Sequence, residues 1–180
     1  LWARLLVDRF VSGPGKPWVG LAWLEPLRKK WANEVDGLTL PWYAEEKREL
    51  GAFATFLGLV FRPKSAGYPS YWRAVAVGDC CLFHTRAGKL VRAFPIQRSD
   101  GFDNRPVLLR SREGNSAKTQ LAKAHGDWQS QDRFLLMTDA LAQWFLLRQE
   151  QGKDPLADIA HLLTEEAPIP AFAAWIAERR

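Results

Sequence analysis

The sequence predicts an α+β domain in which antiparallel strands, grouped mid-chain, are layered with helices drawn from both ends. Two observations carry that prediction. Apolar residues recur at helical spacing before residue 50 and after residue 138. Between Gly51 and Ile96 they alternate or run continuously, as in strands. A third observation sets the scale: 180 residues, 47% hydrophobic and 12% aromatic, suit one domain with a sizeable core.

Each element follows from its local pattern. Residues 1–11 put Trp2, Leu5, Leu6 and Phe10 on one helical face, and "VSGPGKPW" then breaks the helix. "LEPLRKKWANEV" resumes helical spacing, with Leu24, Leu27, Trp31 and Val35 on one side and Pro26 tolerated in a first turn. "PWYAEEKREL" reads as a second short helix or an irregular approach to the strands. "GAFATFLGLVFRP" is apolar on both faces, which predicts a strand covered on each side. "YWRAVAVGDCCLFHTRAGKLVRAFPI" predicts strands near 72–77, 80–85 and 89–95, joined by Gly-Asp and "RAGK" into a meander. Gln97 to Ser130 is polar and broken, so a loop or flap is expected, with one short strand at "VLLRS". "DRFLLMTDALAQWFLLRQEQG" predicts a buried strand running into an amphipathic helix. "DPLADIAHLL" predicts a helix capped by Asp154 with Pro155 at its first position, and "PIPAFAAWIAERR" a last helix.

Several function classes are disfavoured by composition. No window approaches the roughly 20 apolar residues of a membrane helix. "LWARLLVDRF" carries Arg4, Asp8 and Arg9 and is no signal peptide, so a cytoplasmic protein is expected, one whose segment begins partway along. The net charge of +5 comes from scattered basic residues and reads as a solvated surface, so nucleic acid is not the expected partner. Adjacent Cys80 and Cys81 suit two small buried thiols rather than a redox or metal site, and His84, His125 and His161 show no ligand spacing. Most of the nine tryptophans fall at core-compatible positions, Trp23, Trp31, Trp42, Trp72, Trp144 and Trp175 among them. Ser12-Gly-Pro-Gly-Lys16 has no strand before it and no Lys-Ser/Thr pair, so it reads as a linker rather than a phosphate loop.

Two strand ends hold acids. Gly78 permits a turn with positive φ, with Asp79 at the strand end. The apolar run Phe134–Met137 ends at Thr138-Asp139, where a helix begins. Asp139 there caps that helix or faces a cation held at the strand ends.

Taken in order, Gly51-Ala52-Phe53-Ala54, then Gly78-Asp79-Cys80-Cys81, then Asp132-Arg133-Phe134-Leu135-Leu136-Met137-Thr138-Asp139-Ala140-Leu141 resemble the protein phosphatase 2C family of metal-dependent serine/threonine phosphatases. The resemblance covers roughly residues 50–150. It implies a central antiparallel β-sandwich flanked by helices in α/β/β/α layers, with a pair of Mg²⁺ or Mn²⁺ ions in an aspartate cleft at one end. Hard divalent ions prefer carboxylate oxygen and water, and two of them can clamp a phosphoryl group. The expected substrate is a phosphorylated protein or small phosphoester. Asp139 matches the family's metal-binding aspartate, and Gly78-Asp79 matches a turn that stabilises the corner near the site.

The chain also departs from the family pattern. Cys80 and Cys81 stand where the family has Ser and Arg, and Ala140 replaces a glycine. Asp36-Gly37 is the one candidate for the early Asp-Gly motif, set against a plain helix-to-loop turn, because it follows a helical stretch and leads into "LTLPWY". The late acidic motif is not found. Segments trimmed at both ends, or a catalytically inactive domain serving as a binding or regulatory module, are the two expectations these departures raise.

Overall fold

The computed structural model describes residues 1–13, 20–65, 67, 69–103, 105–112, 119–160, 162 and 168–178, with the side chain of Tyr43 left aside. Helix α1 (Trp2–Ser12) is followed by a 3-10 turn (Ala22–Leu24) and helices α2 (Glu25–Val35) and α3 (Trp42–Leu50). Eight strands come next: β1 (Phe53–Ala54), β2 (Phe56–Arg62), β3 (Tyr71–Val77), β4 (Cys81–Arg86), β5 (Lys89–Phe94), β6 (Leu109–Arg110), β7 (Ala122–Asp127) and β8 (Arg133–Met137). Helices α4 (Asp139–Glu150), α5 (Pro155–Ala160) and α6 (Pro168–Ala177) close the chain. The domain is α+β with antiparallel sheets throughout: β2-β3-β7, β5-β4-β8 and the short pair β1-β6.

Helical periodicity translates directly into packing. Trp2, Leu5 and Leu6 of α1 and Leu27 and Trp31 of α2 are buried with Phe56, Val75 and Val77, which project from one face of the β2-β3-β7 sheet. The opposite face of that sheet, through Trp72, Ala74 and Ala124, shares a core with Leu82 and Phe94 of the other sheet. Cys81, Phe83 and Met137 pack with Phe145, Leu146, Ile159 and Trp175 of the C-terminal helices. Asp154 caps α5 as expected, its Oδ1 accepting the N–H groups of Leu156 (3.0 Å) and Ala157 (3.1 Å). Among the described residues no helix is long and apolar enough to cross a membrane.

Four expectations are corrected. The three strands of residues 72–95 are not one meander. β3 pairs with β2 and β7, whereas β4 pairs with β5 and β8, so Gly78-Asp79 carries the chain from one sheet to the other. Each strand is central to its own sheet, with both edges already taken. The second correction concerns β7, which lies inside the segment read as a loop. Its inward residues are Ala122, Ala124 and Gly126 because Trp72 fills the space beside them, a Cβ on Gly126 falling 3.0 Å from the indole nitrogen. Third, "GAFATFLGLVF" is two strands, broken at Thr55. Lastly, among the described residues β8 is an edge strand, and Leu136 is 54% exposed instead of buried.

Trp42 also departs from expectation, standing 82% exposed on α3, while Trp23, Trp31, Trp72 and Trp175 are buried. Of the "VSGPGKPW" break, Val11 and Ser12 end α1 and Gly13 caps it in extended conformation, while residues 14–18, which include the lysine of the Ser12–Lys16 linker, and His161 lie outside the described residues.

Candidate functional site: an acidic rim

The β4–β8 ladder sets the geometry. Cys81 stands opposite Met137 in an antiparallel register. Asp79, two residues before Cys81, and Asp139, two residues after Met137, therefore lie at the same end of the ladder. The carboxyl of Asp79 is raised above the usual carboxylate range by burial first, and then by the negative charges of Asp139 and Asp103; hydrogen bonding to its own backbone N–H opposes the shift. Three acids thus share one rim.

The backbone at this corner is built around Gly78, whose φ is +99°. A Cβ there would lie 2.6 Å from Thr55 Cγ2 and 3.2 Å from the Val107 carbonyl oxygen. The Thr55 hydroxyl in turn meets the Cys80 thiol at 3.2 Å. Asp139 begins α4, with Thr138 at the N-cap position making no side-chain cap bond. Asp139 is thus the first helical residue and not the N-cap, and its negative charge in the first turn is favourable against the helix dipole.

Asp103 reaches the rim through a strap. Glu150 of α4 accepts hydrogen bonds from the Ser99 N–H (2.9 Å) and hydroxyl (2.5 Å), and Gln143 donates to the Ser99 carbonyl at 3.3 Å. These bonds tie residues 99–101 to the helix that begins with Asp139. Asp103 then folds over, its Oδ1 accepting the Arg105 N–H at 2.7 Å. Gly78, Asp79, Asp103, Arg105 and Gln120 line a cleft of about 220 Å³.

Sequence reasoning named Asp79 and Asp139 but missed Asp103 and Arg105. The available signal was the Asp-Asn-Arg-Pro run, an Asx-turn signature, which says turn but not where the turn lands. Asp36 is not brought to the rim. It stands at the C-terminal end of α2, its carboxylate paired with Arg112, and is not among the charges that raise Asp79. Its surroundings are those of a helix-to-loop turn.

The two thiols sit behind the corner. Cys81 is fully buried among Phe83, Met137 and the C-terminal helices, and burial pushes its thiol up to about 11. Cys80 is half-buried, and both cysteines are free.

A second ionic cluster closes the opposite end of the same ladder. His84 Nε2 meets Asp132 Oδ2 at 2.8 Å, and Arg86 donates to both Asp132 oxygens at 2.9 Å. The Gln129 N–H donates to Oδ2 at 3.0 Å. The Asp132 side chain is only 1% exposed, and Arg86, followed by His84, holds it far below the usual carboxylate range. His84 stacks on Phe134 with centroids 4.4 Å apart. Arg86 also donates to the exposed Asp127 at 2.9 Å, so the cluster runs from the buried His84–Asp132 pair out to the surface.

Comparison of the chain with models of known families, with curated proteins and with solved structures finds no match in any of the three.

Proposed function

We propose that the chain is a phosphatase 2C-like domain that hydrolyses phosphoserine or phosphothreonine esters at the Asp79–Asp103–Asp139 rim with Mg²⁺ or Mn²⁺. The observation that carries this reading is the register: Asp79 and Asp139, sixty positions apart in the sequence, leave one end of the β4–β8 ladder together. The ordered motifs and the packing sequence of helices, sheet, sheet and helices support an α/β/β/α sandwich.

The donor set suits hard divalent cations. All three acids supply carboxylate oxygen, and the neighbouring Cys81 thiol faces the core. Among the described residues no three His, Cys, Asp or Glu side chains form a group able to hold an ion, so a cation at the rim would take oxygen from at most two of these acids and the rest from water. A cation bound there supplies Lewis acidity toward phosphoryl oxygen and lowers the pKa of its water. Asp139 and Asp103 are exposed at the rim, and Asp79 is half-buried. Exposed Arg105 lines the same cleft and can receive phosphoryl oxygens.

A second reading, an inactive domain used as a binding or regulatory module, is favoured by Cys80, Cys81 and Ala140 and by the incomplete ligand group. Calorimetric titration with Mn²⁺, paired with hydrolysis of a phosphothreonine peptide, separates the two. The enzyme reading expects saturable binding and Mn²⁺-dependent turnover, both abolished in a folded Asp139→Asn variant. Turnover unchanged in that variant removes Asp139 from the mechanism. A wild-type protein that neither binds Mn²⁺ nor turns over supports the module.

A further inference from the structure

Helix α4 carries an acid at each end. Asp139 begins it at the rim, and Glu150 closes it. A carboxylate in the last turn opposes the helix dipole, so the electrostatics of α4 alone disfavour Glu150. Its compensation comes from outside the helix. The Ser99 hydroxyl and N–H both donate to it, at 2.5 and 2.9 Å, and in that order they hold its carboxyl below the usual range. Gln143 donates to the Ser99 carbonyl at 3.3 Å. Gln143 and Glu150 follow Asp139 by four and eleven positions, which sets all three on one face of α4. Ser99 is therefore held by three bonds on the face that leads to Asp139. Only Asp100, Gly101 and Phe102 lie between Ser99 and Asp103. A strap this short ties the place of the Asp103 carboxylate to the place of Ser99.

We propose that Glu150 is a positioning residue of the rim, holding Asp103 beside Asp79 and Asp139 by way of Ser99. Its effect on a cation rests on the phosphatase reading, whereas its hold on Asp103 does not. The charge of Asp103 reaches Asp79, so a cation at the rim is attracted by it. Glu150 itself lies at the far end of α4 and lines no part of the cleft. Groups that orient the ligands of a metal from outside are worth about 10–100-fold in affinity. Glu150 acts through a strap that Phe102 also anchors, packed against the core of Cys81 and Phe145. The lower end of that range, about tenfold, is therefore expected for its loss.

Calorimetric titration of Mn²⁺ into the whole chain tests this, with amide hydrogen exchange read in parallel without metal. Glu150→Ala is expected to weaken Mn²⁺ binding about tenfold while circular dichroism reports a folded protein. Glu150→Gln keeps an acceptor for the Ser99 N–H and can donate to the Ser99 hydroxyl, so it restores most of the affinity. In an Asp103→Asn background, Glu150→Ala adds no further loss, because the carboxylate it places is already gone. Without metal, the Gly101 and Arg105 N–H groups exchange faster in Glu150→Ala than in wild type, and near the wild-type rate in Glu150→Gln. If Glu150→Ala unfolds, Ser99→Ala takes its place, with a smaller loss expected because only the hydroxyl bond goes. The proposal is overturned by unchanged Mn²⁺ affinity in the folded variant, by an equal loss in the Asp103→Asn background, by Glu150→Gln binding as weakly as Glu150→Ala, or by unchanged exchange at Gly101 and Arg105. A wild-type chain that binds no Mn²⁺ removes the phosphatase reading instead, and hydrogen exchange then decides whether Glu150 holds Asp103.

Discussion

Replacing Gly78 by alanine tests the corner that presents Asp79. Two costs can be worked from the structure. The backbone there has φ +99°, a conformation L-residues avoid, which costs about 1–2 kcal/mol. The added methyl falls 2.6 Å from Thr55 Cγ2 and 2.9 Å from Thr55 Cβ. Thr55 has little freedom to yield, since its Cβ is fixed between β1 and β2 and its hydroxyl meets Cys80. Overpacking of this kind costs about 1–3 kcal/mol. Gly78→Ala is expected to lose about 2–5 kcal/mol, or about 4–20 °C in Tm for a chain of this size. Urea unfolding of the two single variants and of the Gly78→Ala/Thr55→Ala pair separates the contributions. The pair recovers part of the steric cost, because the Cγ2 contact goes while the Cβ contact and the backbone strain stay. A Gly78→Ala protein within about 0.5 kcal/mol of wild type, the range of an ordinary surface change, would refute the reasoning.

Two further predictions concern the interior. Asp132→Ala leaves His84 and Arg86 without their buried partner and should cost about 3–5 kcal/mol in urea unfolding. Because the Asp132 carboxyl is lowered in the folded state, the stability it contributes is present above the usual carboxylate range and is lost as pH falls from that range toward its far lower folded value; Asp132→Asn should flatten the acid limb of a stability–pH curve. With its thiol raised to about 11 by burial, Cys81 should not react with a disulfide reagent in the native protein at pH 8. Cys80 alone reacts, so Cys80→Ser should give a native protein silent to the reagent and one thiol on unfolding.

Legibility in the sequence followed the range of the interaction. Helices α1, α2 and α5 were readable because their spacing, Pro26, and Asp154-Pro155 are local features. Strand β7 was not, because "AKAHGD" has poor strand propensity by itself; its small residues make sense only beside Trp72, some fifty positions earlier. The separation of β3 from β4 was hidden for a related reason. A Gly-Asp turn signals a reversal, but partner choice is decided by which edges remain open once β2, β7, β5 and β8 have docked. At the rim, Asp79 and Asp139 were visible as strand-ending acids, whereas Asp103 depends on the Ser99–Glu150 strap, a contact between positions fifty-one apart.

The departures from the phosphatase 2C pattern weigh less once their directions are known. Cys81 faces the C-terminal helices, so a thiol in place of arginine alters packing behind the rim and puts nothing into the cleft. Cys80 serves the corner by meeting Thr55. Ala140 is exposed in the first turn of α4, where its methyl is free of the core. On the proposed reading, what would separate an active phosphatase from an inert module is the number of oxygens a cation finds around Asp79, Asp103 and Asp139. Affinity for Mn²⁺, measured before turnover, reads that number directly, because each carboxylate removed from such a rim weakens binding whether or not a phosphoester is ever cleaved.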